Sequence, residues 1–371
     1  MIIIYSHVQE VKGNYQCAIL RKLEKNLQIL GKDFFTISHC MNVPQKAFIY
    51  DGKTGKNNRR GYSIKVGPLR YFYEMLFNIF SIKKYFKQNK EKITFIGIDP
   101  LNACSGILAK KLGYVKKCIY YTPDYSPQKF KNDILNKIYH SIDRFCVKNA
   151  DEVWNVSSRI TEIRKKMGLS GEKNIFLPNV SGLLASKKNQ NITKEIFSLI
   201  TSGTLKEQLE HKRLIDTIVK LVPDFPDIHL YIAGDGPLRG EIENYISEKK
   251  VNNNITLLGF LEVEEYLQYV EKCGIGLAMY SGKWGFNYYG DSTKCREFMQ
   301  FGLPILTTNF HSTADEIRQE QSGIVVDDQH QKSYENEIRK IYENYEEFSE
   351  NSKRLGKKYT QIYINKIKEL C

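Results

Sequence analysis

Short apolar runs alternate along this chain with stretches whose apolar residues recur at helical spacing. Ile2 to Tyr5 reads as a buried strand, and the stretch through Ala18, Leu20, Leu23, Leu27 and Leu30 as an amphipathic helix that Gly31 ends. Phe34 to Ile37 is the next strand. Thr94 to Ile98 is another, then a helix from Ala103 to Leu112, then strands at Cys118 to Tyr121 and Glu152 to Val156. Strands separated by helical patterns argue for a parallel sheet covered by helices.

The rhythm restarts in the second half. Phe197 to Thr201, His229 to Ala233, Ile255 to Leu258, Ile275 to Ala278, Ile305 to Thr307 and Ile324 to Val326 read as strands, with helices at Lys212 to Leu221 and Leu238 to Lys249. Between the two series lies a polar, aperiodic stretch from Ala185 to Thr193, and from Lys332 to Leu370 the chain reads as charged helix. The expected organisation is therefore α/β: two doubly wound, Rossmann-like domains facing each other across a cleft. Residues 1–184 form the first, 185–195 a linker and 196–352 the second, and a C-terminal helix at 353–371 crosses back to the first. Open α/β sheets bind ligands at the carboxyl ends of their strands, so the cleft is the expected site.

Composition narrows this only at its edges. The 371 residues are 42% apolar and 26% charged, which excludes a disordered tail, a collagen or a polytopic membrane protein. No apolar run approaches the ~20 residues of a membrane span, and the N-terminus lacks a basic, long-cored leader, so the expected location is cytoplasmic, at most against the cytoplasmic membrane face. Eight Cys without CxxC or zinc spacing read as buried, reduced thiols. The net charge of +13 favours anionic partners without choosing among them.

Two segments carry chemistry. Ala233-Gly-Asp-Gly-Pro-Leu-Arg239 follows a strand and opens a helix, so Gly234 and Gly236 allow a ligand phosphate to approach the backbone, or simply make a tight strand-to-helix turn. From Gly290 to Ile305, the N-cap types Asp291, Ser292 and Thr293 precede a helix closed by Gly302 and Pro304. With Lys294 nearby, the first-turn N–H groups suit a diphosphate, and Glu297 one turn on suits two ribose hydroxyls. The alternative is an ordinary capped helix with a solvated glutamate.

Together with Ser202-Gly-Thr-Leu205, Lys212 and Leu258-Gly-Phe260, these segments resemble the C-terminal half of GT-B glycosyltransferases, and of the retaining family 4 among them. The resemblance covers about residues 197–330 well; in the N-terminal half strand order and Pro178-Asn179 fit, but motifs are few. It implies a hexosyltransferase that moves a sugar from a nucleotide-sugar to a glycan or lipid-linked acceptor, in cell-surface polysaccharide or glycoconjugate biosynthesis. It implies retention of configuration and no metal or other cofactor. Gly203 and Thr204 would line the donor beside Gly234, Gly236, Asp291, Ser292, Thr293 and Glu297, and Lys212 and Lys294 would stabilise the leaving diphosphate. At two positions the sequence departs from the family pattern: Thr204 replaces a phosphate-binding Arg, and Tyr289 stands where the first of two Glu is usual.

In the N-terminal half, the loop from His7 to Asn14 corresponds to the family's glycine-rich turn, with Gly13 and Asn14 as donor-side candidates, or is a plain β–α loop. Asp124, just past a strand, is a catalytic candidate or turn chemistry, and Asp99 a weaker one; His39, His140 and His211 read as core or surface histidines. Leu69 to Lys87 is aromatic-rich, with Arg59, Arg60, Arg70, Lys83, Lys84 and Lys87 at its flanks. It reads as a helix packed on the sheet or as a helix lying on an anionic membrane. A nucleotide-sugar epimerase and a non-catalytic basic binding protein are the competing functions; no nucleic-acid-binding pattern is present.

Overall fold

The computed structural model describes all residues except 12–13, 44–45, 62–66, 90–91, 182–192, 207–209, 283–286, 328–332 and 371. The chain divides into two compact units, Met1–Pro178 with Tyr363–Cys371, and Asn179–Ile362. The division precedes the expected linker: residues 185–192 lie outside the described ones, and Glu195 already begins a strand.

The first unit runs β1 (Ile2–Val11), β2 (Asn14–Gln16), α1 (Ala18–Ile29), β3 (Phe34–Cys40), β4 (Lys46–Asp51), β5 (Lys56–Gly61), α2 (Gly67–Asn89), β6 (Thr94–Ile98), α3 (Pro100–Lys111), β7 (Lys117–Thr122), α4 (Asp133–Asn149), β8 (Glu152–Asn155), α5 (Ser158–Lys166) and β9 (Asn174–Phe176). Its sheet has the order β5-β4-β3-β1-β6-β7-β8-β9, parallel from β3 to β9, with β4 and β5 as an antiparallel edge and β2 paired to β1. The hairpin β4–β5 escapes sequence reading because Lys56 to Gly61 is entirely polar and shows no alternation. Ile3, Tyr5, Phe95, Ile107, Cys118 and Tyr120 are buried in one core beneath the helices.

The second unit runs β10 (Glu195–Ser202), α6 (His211–Leu221), β11 (His229–Ala233), α7 (Arg239–Glu248), β12 (Ile255–Gly259), α8 (Val263–Lys272), β13 (Cys273–Ala278), α9 (Thr293–Phe301), β14 (Ile305–Thr308), α10 (Thr313–Gln319), β15 (Gly323–Val326), α11 (Glu335–Glu343) and α12 (Tyr345–Lys368), whose last residues belong to the first unit. Its six strands are all parallel, in the order β12-β11-β10-β13-β14-β15. Both sheets are doubly wound. In the first, the chain builds outward from β1 towards β3 and then from β6 the other way; in the second, the reversal lies between β10 and β13. Such switch points leave a crevice at the carboxyl ends of the strands.

Candidate functional site

In the second unit the switch point is framed by the loops after β10 and β13 and by the start of α9. Gly203 and Gly234 adopt φ of 139° and 129°, open to glycine without strain. A Cβ on Gly234 would lie 2.0 Å from the Gly203 carbonyl oxygen, and one on Gly236 would lie 2.6 Å from that of Leu205. Backbone hydrogen bonds join the two loops: Gly203 N–H to Ala233, Leu205 N–H to Asp235, and Leu238 N–H to Leu205. The glycines of the Gly-Asp-Gly-Pro turn are therefore required by one loop lying on another. Thr204 is exposed at the edge of this pair.

Helix α9 starts as the sequence predicts, with Ser292 as N-cap accepting from the Cys295 N–H at 3.3 Å and Gly302 closing it at φ 69°. The hydroxyl and carboxylate groups ahead of it are committed within the protein. The Asp291 carboxylate is shielded from solvent, pairs with Arg296 at 2.8 Å, and accepts from the Thr313 hydroxyl and the Asn179 N–H at 2.7 Å each. The Arg296 guanidinium also forks onto Glu316 and lies over the Tyr359 ring. Ser292 Oγ is 2.9 Å from the Tyr280 hydroxyl, and Thr293 Oγ1 accepts from Asn179 at 2.7 Å. The side chains of Asp291, Ser292 and Thr293 thus build the start of α9, as their reading as N-cap types expects, and leave the first-turn N–H groups as the part of this segment suited to an anion. Glu297 is buried in the next turn, with Ser181 donating to Oε1 at 3.3 Å.

Lys294 is half-buried and stacks over the Tyr280 ring at 4.5 Å from its centroid. Desolvation pulls its ammonium down to about 8, against the opposing pull of Cys295 and Glu297. The neighbour whose titration feels the Lys294 charge is His211, the first residue of α6. Burial, and then the Lys294 charge, lower that imidazole to about 4. His211 is 4% exposed, and neither ring nitrogen has a partner among the described residues. The residue before it, Glu210, is held in a left-handed conformation at φ 46°, its carboxylate accepting from Tyr334 and pairing with Arg213. That strained residue aims the start of α6.

Lys212 turns the other way. Its ammonium pairs with Glu241 at 2.5 Å on α7 and lies over the Tyr245 ring, with half the side chain exposed. The Lys294 charge reaches His211, which sequence reading set aside, while Lys212 pairs with Glu241. One helical residue is a 100° rotation, so the spacing alone could not choose between neighbours.

In the first unit the expected loop from His7 is strand: β1 continues to Val11 and folds back through β2, so Asn14 lies in a hairpin opposite Val11. Gly13 and the Asn14 side chain lie outside the described residues. Asp124 sits in an exposed loop and pairs with Lys129 at 2.6 Å. The polar centre of this unit is at the β1/β6 switch point. His7 Nδ1 is 2.6 Å from Asp99 Oδ2, and Nε2 is 3.1 Å from Glu74 Oε2. Arg70 donates to Glu74 at 2.7 Å, Asn102 to Asp99 at 2.8 Å, and His39 and Asn78 meet at 2.9 Å. Asp99 caps α3 from a strained φ of 82°. Burial alone would lower His7; the Asp99 charge and hydrogen bond, with Glu74, overcome it and raise the imidazole to about 10. Burial instead lowers His39 to about 4.

Residues 184–360 match the family model for group 1 glycosyl transferases. An uncharacterised glycosyltransferase of Methanocaldococcus jannaschii is 23% identical over 209 residues, and the chain spans about half (51%) of that relative's length. Among solved structures, a glycosyltransferase from Rickettsia africae aligns with a TM-score of 0.66 at 14% identity, over 99% of this chain and 98% of that one. Anabaena HepE, crystallised with UDP, aligns with a TM-score of 0.64 at 12% identity, over 100% and 98%; it has also been crystallised with UDP-glucose.

Proposed function

With the fold of the GT-B glycosyltransferases, and a group 1 glycosyl transferase match over residues 184–360, as premise, we propose that this chain transfers a hexose from a nucleotide-sugar to a glycan or lipid-linked acceptor. We assign it to the retaining, metal-independent family 4 chemistry of cell-surface glycoconjugate synthesis. The second unit holds the donor. Lys294 and His211 face the leaving diphosphate from the starts of two helices, and Glu297 holds the ribose. Lys212, once released from Glu241, adds a cation at the rim.

The observation that carries this reading is a half-buried ammonium whose charge is felt by a buried imidazole, itself without a hydrogen-bond partner among the described residues, at the switch point of a parallel sheet. The imidazole, lowered to about 4, stays neutral at neutral pH and can donate a hydrogen bond, and a diphosphate supplies both an acceptor for it and further counter-charge for the ammonium. Negative charge grows on its oxygens as the glycosidic bond breaks, so the same contacts strengthen in the transition state. Charge also couples binding to protons. Lys294 with a value of about 8 takes up a proton as the anion arrives, so nucleotide affinity should fall as pH rises above 8. The test is calorimetry with UDP, GDP and CMP in buffers of different ionisation enthalpy, followed by turnover of the matching sugar donors. Nucleotide binding with proton uptake near pH 8, absent in Lys294→Ala, is expected. No nucleotide binding would overturn the proposal.

A further inference from the structure

Helix α2 packs on the core through Ile82, Phe77, Tyr85 and Phe86, yet its first turns are inverted. Its side towards the core is polar at Arg70, Glu74 and Asn78, all nearly inaccessible, because these residues serve the His7–Asp99 cluster. Its opposite side carries Phe72, Leu76 and Phe80, exposed by 57%, 37% and 63%. The two stripes have the same four-residue spacing, and a soluble helix normally turns the apolar one inward. Sequence reading left open a helix packed on the sheet with a solvated basic edge and a helix lying on a membrane; the structure buries Arg70, packs Phe77, Ile82, Tyr85 and Phe86 on the core, and leaves Phe72, Leu76 and Phe80 outside. Further along, the outward arc continues through Lys83, Lys84 and Lys87, none of which has an ion-pair partner among the described residues. The one acid of α2 is Glu74, and it is buried.

We propose that this face of α2 docks on an anionic lipid surface, the aromatic stripe entering the interface and the three lysines meeting phosphate headgroups. Charge complementarity selects the occupant. A face that is apolar and purely cationic repels basic partners and matches a negatively charged, laterally extensive surface. Contiguous exposed aromatics are costly in water, and burial in the headgroup region removes that cost. This inference is independent of the transferase reading, because it is read as binding rather than turnover.

The experiment is co-sedimentation of the full chain with mixed phosphatidylglycerol–phosphatidylcholine vesicles and with pure phosphatidylcholine vesicles, across a salt series. Binding to the anionic vesicles, released by salt, is expected. Lys84→Glu combined with Lys87→Glu should weaken it by at least about tenfold, since each cation near the surface contributes several-fold. Phe72→Ser combined with Phe80→Ser should lower it by a similar factor at low salt. All four residues are exposed, so circular dichroism and the melting temperature should not change. No vesicle binding, equal binding to neutral vesicles, or undiminished binding by both variants would overturn the proposal. So would light scattering that finds a dimer broken by Phe72→Ser/Phe80→Ser without vesicle binding, which would assign the face to a second copy of the chain.

Discussion

The two units place polar clusters at the same topological position, the reversal of strand order, and finish them in opposite ways. In the first, two carboxylates, an arginine, two histidines and two asparagines satisfy one another. In the second, an ammonium under the influence of Glu297 lies near an imidazole whose ring nitrogens have no hydrogen-bond partner among the described residues. Two acids close in sequence are committed elsewhere, Asp291 to Arg296 and Glu210 to Arg213 and Tyr334. A closed network makes a scaffold rigid, because every donor already has its acceptor. An open one leaves donors that a ligand can engage. His7 and His211 differ accordingly: the Asp99 and Glu74 charges push one imidazole up to about 10, while burial and then the Lys294 charge bring the other down to about 4.

Breaking a member of each cluster should separate the two. Arg70→Leu strips a cation from a buried carboxylate and should cost about 3–5 kcal/mol of stability, measured by urea denaturation. A loss below 1 kcal/mol would mean that the first cluster is not a closed network. Lys294→Ala should leave stability nearly unchanged yet lower turnover at saturating donor by ~10²–10³, more than it weakens donor binding. Near wild-type turnover in the folded variant would remove the open site from the mechanism.

Smaller effects sharpen the picture. Glu297→Ala should weaken nucleotide binding by ~1–3 kcal/mol, read by calorimetry, without unfolding α9. The histidines should show opposite pH trends. His7 is raised from its ordinary 6.5, so its stabilisation is complete below 6.5 and fades as pH rises towards 10. His211 is lowered, so its contribution is present above 6.5 and is lost as pH falls towards 4. Melting curves of His7→Gln and His211→Gln against wild type should therefore converge at high and at low pH respectively; parallel curves would contradict the assignment. Lys212→Ala, which removes a surface pair with Glu241, should lower turnover less than tenfold.

The second unit was the more legible in sequence. Its parallel strands are buried on both sides and read as apolar runs, and its helix boundaries follow from Ser292, Gly302 and Pro304. Glu297 was placed correctly on α9 by spacing. His211 was missed because the orientation of a helix start depends on the strained Glu210, which spacing does not encode. In the first unit the polar residues His7, Gln9 and Glu10 hid the extension of β1, and the cluster joins residues some 70 to 90 positions apart. The one signal for it was the polar stripe Arg70, Glu74 and Asn78, which matches in period the apolar stripe beside it. Periodicity says that a helix has two faces; only tertiary packing says which is inside.

The glycine loops after β10 and β11 are fastened backbone to backbone, with Gly234 N–H also bonded to the Gly259 carbonyl at the end of β12. They therefore cannot open separately. Amide exchange at Leu205, Gly234 and Leu238 should proceed through a common opening, with similar protection and a similar response to a bound nucleotide. A side chain introduced at Gly236 would speed exchange at Leu205, on the other loop, as much as at its own.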